Sequence, residues 1–342
     1  MKLISYSWNG LGNVGDDWIA QTFREYIEKK GHQINSITEP NSQVSNSKIG
    51  DLKWARYRNY FAGVLKLRDQ LRSYDALLIA GGGWFAGDQS LRNSIMWLLR
   101  LSLCPIPVYT VGIGAGPFSN RWQILIFKLI KRRIENFNVR HIKDAEHLAQ
   151  LGISDFSIST DLSFLAPLEY SVSQSQSREK CLVILPAWSK HHDSPNYHEW
   201  KSTLLQKLIA LKISESDMYF VSFQGFPHSD YDEWCDIFPR HLSVQSISDV
   251  ERVFRGAKFV VAGRLHAGLA ACRYEVPYIN VVPYHHKFMI LGELGLEITS
   301  SSNPNLAFNA PNKVAYSDRH FAAIEFIEQL MDRISTDLGR RA

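Results

Sequence analysis

The chain has 342 residues, 45% of them hydrophobic and 21% charged, and its 38 basic and 34 acidic side chains leave a formal net charge of +4. That apolar content with so small a charge argues against a mainly disordered chain, and the length suits two domains of about 100–200 residues. Cys104, Cys181, Cys235 and Cys272 are scattered without a CxxC pair, which argues against a disulfide framework or a zinc or iron–sulfur site and favours a reducing compartment.

The N-terminus reads Met-Lys-Leu-Ile-Ser-Tyr-Ser-Trp, too short an apolar run for a signal peptide. No stretch reaches the roughly 18 uninterrupted apolar residues of a membrane span. The expectation is a cytoplasmic protein, with room for loose attachment at the inner face of the cytoplasmic membrane. Lys131-Arg132-Arg133 is the longest basic run and reads as the solvated face of a helix rather than a nucleic-acid or lipid patch.

Taken in chain order, β-branched runs at 2–7, 33–37, 76–80, 108–112, 139–142 and 156–159 alternate with helix-period segments. The helices are predicted at 16–30, 54–73, 90–103, 122–136 and 144–151. Such alternation predicts βαβ units and a parallel sheet. A polar Ser/Gln-rich stretch at 171–180 then reads as a linker. The rhythm resumes with strands at 181–185, 218–223, 243–245, 259–262 and 278–282. Helices are predicted at 199–212, 231–238, 248–254, 265–273 and 287–294, and a long terminal helix at 318–338. The α/β reading is two Rossmann-like lobes, 1–170 and 181–317, facing each other across a central cleft.

Three glycine loops follow strands in the first lobe. Gly10-x-Gly12-x-x-Gly15 has the dinucleotide-fingerprint spacing, with Glu39 where a ribose-binding acid would stand. Asp16 and Asp17 follow at once, and carboxylates at a helix N-terminus repel a pyrophosphate. The loop can therefore be a tight turn and helix cap, or a site where Asn13 and Asp16 bind a polyol, with NAD(P) or FAD the weakest of the three. Gly81-Gly82-Gly83-Trp84 and Gly112-Ile-Gly114-Ala-Gly116-Pro117 are the other two loops. Glycines there allow close approach of a ligand, and Trp84 could stack on a sugar or pack in the interior.

In the second lobe, the strand 259–262 ends at Gly263, and Arg264-Leu265-His266 opens the next helix. Cations at a helix N-terminus oppose the macrodipole unless a bound anion is present. The alternative is that Arg264 pairs with a carboxylate elsewhere. Pro283-Tyr284-His285-His286-Lys287 follows the next strand, placing Lys287 within reach of the same anion. Adjacent histidines without a carboxylate cluster do not make a metal site, so no metal is expected.

Together these motifs resemble the polysaccharide pyruvyl transferase family. Gly12-Asn13-Val14-Gly15-Asp16 resembles its Gly-Asn-Leu-Gly-Asp turn, and the loops at Gly81 and Gly112 resemble its next two glycine loops. Arg140-His-Ile-Lys-Asp144 is similar to its Arg-Asp-x-x-Ser segment, with His141 and Asp144 as departures. Asp161 matches the Asp of an Asp-Pro-x-Phe pattern without its Pro. Gly263-Arg264-Leu265-His266, with Tyr284 and Lys287, resembles its most specific motif.

The resemblance implies a glycosyltransferase-B type fold and transfer from phosphoenolpyruvate to two hydroxyls of one sugar, forming a pyruvate ketal in cell-surface polysaccharide or glycan. Carried over, Arg264, Leu265 and His266 would bind the donor, helped by Lys287 and Arg140. His266 would be the acid/base residue, and Asp16 or Asp161 would steer the acceptor. Acceptor binding falls to Asn13, Asp16, Gly82, Gly83 and Trp84. No cofactor is implied beyond the co-substrate phosphoenolpyruvate, and the partner is a glycan or lipid-linked sugar, not a nucleic acid. Two other readings stand beside it: a nucleotide-sugar-dependent glycosyltransferase, and a non-catalytic carbohydrate-binding protein. Aromatic and basic positions in the second lobe (Tyr197, Trp200, His228, Trp234, and 188–192) could select an acceptor or simply pack.

Overall fold

A computed structural model describes residues 1–7, 13–38, 52–53, 60–85, 90–118, 120–168, 179–186, 202, 204, 206, 208–209, 215–224, 229–281, 292, 294 and 312–341. The chain divides into two compact units. Unit 1 comprises Met1–Leu11, Ile19–Leu165 and Arg319–Ala342, and unit 2 comprises Gly12–Trp18 and Ala166–Asp318.

Unit 1 holds a sheet of β1 (Lys2–Tyr6), β2 (Gln33–Thr38), β3 (Leu52–Lys53), β4 (Ala76–Ala80) and β5 (Val108–Val111), in the order β3-β2-β1-β4-β5. Every neighbouring pair is parallel. Ala-Leu-Leu-Ile-Ala of β4 is buried at every position, as a central parallel strand covered on both faces must be. The helices of this half are α1 (Val14–Lys29), α2 (Tyr60–Leu71), α3 (Leu91–Ser102), α4 (Arg121–Lys131) and α5 (Ile142–Gln150). Side chains start three of them. Ser90 accepts from the Asn93 N–H, Asn120 from Trp122 and His141 from Lys143. These are the acceptors that otherwise orphaned N–H groups need.

The His141 cap corrects one predicted strand. The β-branched run at 139–142 predicted extended chain, but β6 (Asn138–Val139) stops early because His141 already starts α5. β6 pairs in parallel with β7 (Ser157–Ile158). The core beneath α3 and α4 is aromatic. Trp84 lies 4.7 Å from the Tyr6 ring and 5.1 Å from Trp97, and such pairs add about 0.5–1.5 kcal/mol each beyond their buried area.

Unit 2 repeats the pattern with β8 (Lys180–Ile184), β9 (Met218–Ser222), β10 (His241–Ser243), β11 (Ala257–Ala262) and β12 (Tyr278–Asn280). Its order is β10-β9-β8-β11-β12, again wholly parallel. The strand predicted at 243–245 lies two residues earlier. His241 pairs with Phe220, and Gln245 donates its N–H to Asp249 at the start of α6 (Ile247–Arg255). The helix predicted at 231–238 is a short one, Tyr231–Trp234. α7 (Leu265–Arg273) has the predicted limits and is buried at every position but His266. Phe220, Trp234 and Phe238 pack with Leu204 and Leu208 in the core of this unit.

The terminal helix, α8 (Lys313–Gly339), belongs to unit 1 from Arg319 onward. Ala323, Ile327, Leu330 and Ile334 fall on one buried stripe, and Asp337 accepts a 2.9 Å hydrogen bond from the Tyr109 hydroxyl. The predicted linker lies outside the described residues except for Glu179 and Lys180. The helix predicted at 287–294, apart from Gly292 and Leu294, and most of that at 199–212 also lie outside them.

Candidate functional site

The start of α1 is folded into unit 2. Asn13 forms an antiparallel bridge with Gln224 just beyond β9, and the Val14 N–H donates to the Phe223 carbonyl at 2.8 Å. Asn13 uses both ends of its amide, accepting from the Gly15 N–H at 3.1 Å and donating to Asp16 Oδ2 at 2.7 Å. Gly15, the second residue of α1, lies against the His266 imidazole. A Cβ at this position would stand 2.1 Å from His266 Nδ1 and 2.6 Å from its Cγ. Only a residue without a side chain fits there. The glycine spacing that mimics a dinucleotide fingerprint thus serves, at its third member, the approach of a histidine.

His266 is the second residue of α7, and Arg264 is its N-cap. Arg264 is extended at this position and makes no side-chain cap to the helix, so the first N–H groups of α7 lack that internal partner. Its guanidinium turns instead to Asp230, donating from Nε at 2.9 Å and from Nη2 to the other carboxylate oxygen. Nη2 also reaches Gln224 Oε1 at 3.1 Å. Asp230 is 1% exposed and further accepts the Gln224 N–H at 3.0 Å. A bidentate carboxylate of this kind fixes the plane of the guanidinium. Nη1 has no hydrogen-bond partner among the described residues, and the Arg264 side chain retains 18% exposure. The carboxylate partner weighed for Arg264 in the sequence is therefore present, and it is Asp230, 34 residues upstream. Nothing in Ser-Asp-Tyr-Asp-Glu marks Asp230 as that partner; parallel pairing of β8 with both β9 and β11 sets the separation.

The other predicted site residues sit in unit 1. Gly81 and Gly82 have φ of +61° and +72°, the left-handed region that glycine adopts without penalty. Gly82 accepts the Gly114 N–H at 2.8 Å, joining the second and third glycine loops. Gly83, between Gly82 and Trp84, is half-buried. Arg140 Nη1 donates to Asp161 Oδ2 at 3.2 Å, with the two side chains 4% and 1% exposed. Asp161 Oδ1 accepts the Ser163 N–H at 3.0 Å. With both oxygens engaged in the interior, Asp161 is a partner for Arg140 rather than a base open to a hydroxyl. Trp84 is likewise corrected: it is 1% exposed within the aromatic core, so it offers no face to a sugar. Leu265, 7% exposed, anchors the start of α7 and contributes no polar contact.

Asp144 is 2% exposed and accepts the Ala115 N–H at 3.0 Å. Burial raises its carboxyl above the ordinary value, against the opposing pull of the Arg140 charge. Lys287, Tyr284, His285 and His286 lie outside the described residues, as do Gly10, Gly12, Glu39, Tyr197, Trp200 and His228. Trp234 is described and belongs to the core, donating to the Pro186 carbonyl at 3.1 Å.

A model of the polysaccharide pyruvyl transferase family matches residues 13–286, from the Asn13 turn through Arg140 and Asp161 to the Arg264–His266 segment and beyond. The chain belongs to the polysaccharide pyruvyl transferase family. A comparison with curated proteins finds no match. Among solved structures, the UDP-GlcNAc 2-epimerase from Methanocaldococcus jannaschii superposes with a TM-score of 0.60 at 12% identity, over 97% of this chain and 99% of the other. The UDP-GlcNAc 2-epimerase from Neisseria meningitidis bound to UDP-GlcNAc gives 0.57 at 11% identity, over 97% and 100%. An alpha-glucosyltransferase in complex with UDP gives 0.52 at 10% identity, over 98% and 100%. At these identities the likeness defines the fold, which is the glycosyltransferase-B type built from two Rossmann-like units.

Within this transferase family fold, unit 2 brings together Asn13, Asp16, Arg264 and His266, which the sequence had assigned to two different lobes. Arg140, Asp161, Gly82, Gly83 and Trp84 belong to unit 1.

Proposed function

We propose that the protein transfers the enolpyruvyl group of phosphoenolpyruvate to two hydroxyls of one sugar residue, closing a pyruvate ketal. The observation that carries this reading is the start of α7. An arginine fixed by Asp230 and an imidazole stand on a helix whose N-cap side chain leaves the first N–H groups without a cap. Asp230 offsets the guanidinium charge, so the donors left for a small anion with a carboxylate and a phosphate are Arg264 Nη1, the imidazole and the first N–H groups of α7.

The chemistry needs these groups. A proton added to the methylene carbon of the enol phosphate gives an oxocarbenium-like centre at the middle carbon. One sugar hydroxyl attacks it, inorganic phosphate departs, and a second hydroxyl of the same sugar closes the ring. Of the two hydroxyl protons, one balances the new methyl group and the other leaves with phosphate. His266 is assigned the proton transfers, which typically contribute about 10²–10⁴-fold. Arg264 holds the donor anion, with Lys287 as a further donor ligand. Asp16, half-buried and oriented by Asn13, is assigned to the acceptor hydroxyls. The scheme uses no metal or organic cofactor.

The test is phosphate release from phosphoenolpyruvate across a panel of acceptor glycans and lipid-linked sugars. His266→Ala should lower turnover about 10²–10⁴-fold, and Arg264→Ala should mainly raise KM for the donor. A melting-temperature series with phosphoenolpyruvate, UDP-sugars and CMP-sugars separates this reading from its rival, since a ligand of the native state raises Tm. Stabilisation by a nucleotide-sugar alone, with no phosphate released for any acceptor, would overturn it in favour of glycosyl transfer.

A further inference from the structure

α3 and α4 carry two apolar faces each, and only one of them is used by the core. Trp97 and Leu101 of α3, and Ile126, Phe127 and Ile130 of α4, are buried. On the outer side of α4, Trp122 is 64% exposed and Leu125 49%, with Leu129 one turn further along. These positions, i, i+3 and i+7, share one helix face. Leu91 and Ile95 form the matching exposed pair on α3. The two helices pack directly against each other. Two rows of exposed large apolar side chains thus lie on adjacent helices, and exposed apolar surface of this kind marks an interaction site.

Within these two helices the charge has one sign. Neither α3 nor α4 contains an acidic residue, and no Asp or Glu occurs between Gln89 and Ile134. Arg121 and Lys128 flank Trp122, Leu125 and Leu129 on the exposed face, and Arg132 follows at the end of the helix. Lys131 is engaged by Asp155. No helix among the described residues is long and apolar enough to cross a membrane.

We propose that the outer face of α3 and α4 docks on an anionic phospholipid bilayer, with Trp122, Leu125, Leu129, Leu91 and Ile95 entering the headgroup–acyl boundary and the flanking cations meeting lipid phosphates. Charge complementarity selects this occupant. A second copy meeting the face about a two-fold axis would set cation against cation, whereas an anionic bilayer satisfies both the apolar row and its basic flanks. An indole at the edge of such a row suits the interface, where one end of the side chain is apolar and the other wet. Of the basic triplet that reads in the sequence as solvated, Arg132 thus acquires a role from the exposed apolar row beside it, while Lys131 stays with Asp155.

The test uses the full chain in co-sedimentation with vesicles of phosphatidylcholine alone and with about 30% phosphatidylglycerol, at about 0.1 M salt. Binding is expected only to the anionic vesicles and should weaken at about 1 M salt. Arg121→Glu/Lys128→Glu should weaken it at least about 25-fold, roughly fivefold for each cation lost. Leu125→Glu/Leu129→Glu should abolish it, with Tm retained in both variants because all four side chains are exposed. Equal binding to neutral vesicles, or retention by the charge-reversed variant, would overturn the proposal. So would a concentration-dependent dimer that Leu125→Glu/Leu129→Glu dissolves, which would give the face to a second copy.

Discussion

Gly15→Ala tests the contact on which the unit 2 site rests. The added Cβ would lie 2.1 Å from His266 Nδ1 and 2.9 Å from His266 Cβ, where ordinary contact begins at 3.4 Å. The imidazole must therefore retreat by more than 1 Å, and because its own Cβ is also too close, ring rotation alone does not relieve the clash. In this first turn of α1 alanine otherwise gains at most about 1 kcal/mol over glycine, the interior value, so the two effects oppose each other in stability but not in catalysis. A displacement near 1 Å of a catalytic group can cost about 10²-fold, equivalent to about 2.7 kcal/mol of transition-state stabilisation. Phosphate release by Gly15→Ala should fall by about that factor. In a His266→Gly background all three contacts disappear and only the propensity gain remains, so the same Gly15→Ala change should then raise Tm. Gly256→Ala is the control, since a Cβ there comes no nearer than 3.8 Å to its neighbours. Turnover within about threefold of wild type for Gly15→Ala, or a Tm penalty that persists without the imidazole, would refute the geometry.

Asp230→Ala should destabilise unit 2 by about 3 kcal/mol, the lower end for a broken buried pair, because Arg264 keeps part of its exposure. Asp230→Asn keeps the side-chain shape but not the charge, and should raise KM for phosphoenolpyruvate more than it lowers kcat; an unchanged KM would show that Arg264 is held without Asp230. Asp144 makes a pH prediction. Its carboxyl is raised above 3.8 by burial, so the folded chain retains a proton that the unfolded chain has released, and stability falls as pH rises through the folded value. Asp144→Asn should remove that slope, making the variant relatively more stable at pH 7 than at pH 4 when compared with wild type in urea unfolding. A stability difference independent of pH would sink this account.

Much of the fold is legible because each half alternates β-branched runs with helical periods, and parallel strands buried on both faces read as continuous apolar runs such as Ala-Leu-Leu-Ile-Ala of β4. The errors have local causes. The run 139–142 carries β-branched Val139 and Ile142 suited to a strand, but His141, accepting the Lys143 N–H, starts a helix there instead. Trp84 beside three glycines has the composition of a sugar platform, yet a tryptophan can as well fill the space between Tyr6 and Trp97, and burial decides for the core. The site was half legible. Arg264 and His266 announce themselves as cations opposed to a helix dipole, whereas Asp230 is an ordinary loop carboxylate until the sheet brings it to Arg264.

The assignment of Asn13 and Asp16 changes meaning for the same reason. In the sequence they stand at the end of the first strand, which places them in the first lobe on a different partner of the reaction from Arg264 and His266. In the structure the seven residues from Gly12 to Trp18 group with unit 2, secured by the Val14–Phe223 and Asn13–Gln224 backbone pairings. Gln224 is then shared: its backbone pairs with Asn13 and its side chain accepts from Arg264. A perturbation at Asn13 has a covalent and hydrogen-bonded route to the guanidinium that does not pass through solvent. A glycine at position 15 completes the arrangement by letting the imidazole lie on the helix backbone. The turn that resembles a phosphate loop is thus better understood as a brace for the arginine and histidine of α7, and this explains why two carboxylates follow the glycine where a pyrophosphate-binding loop would have none.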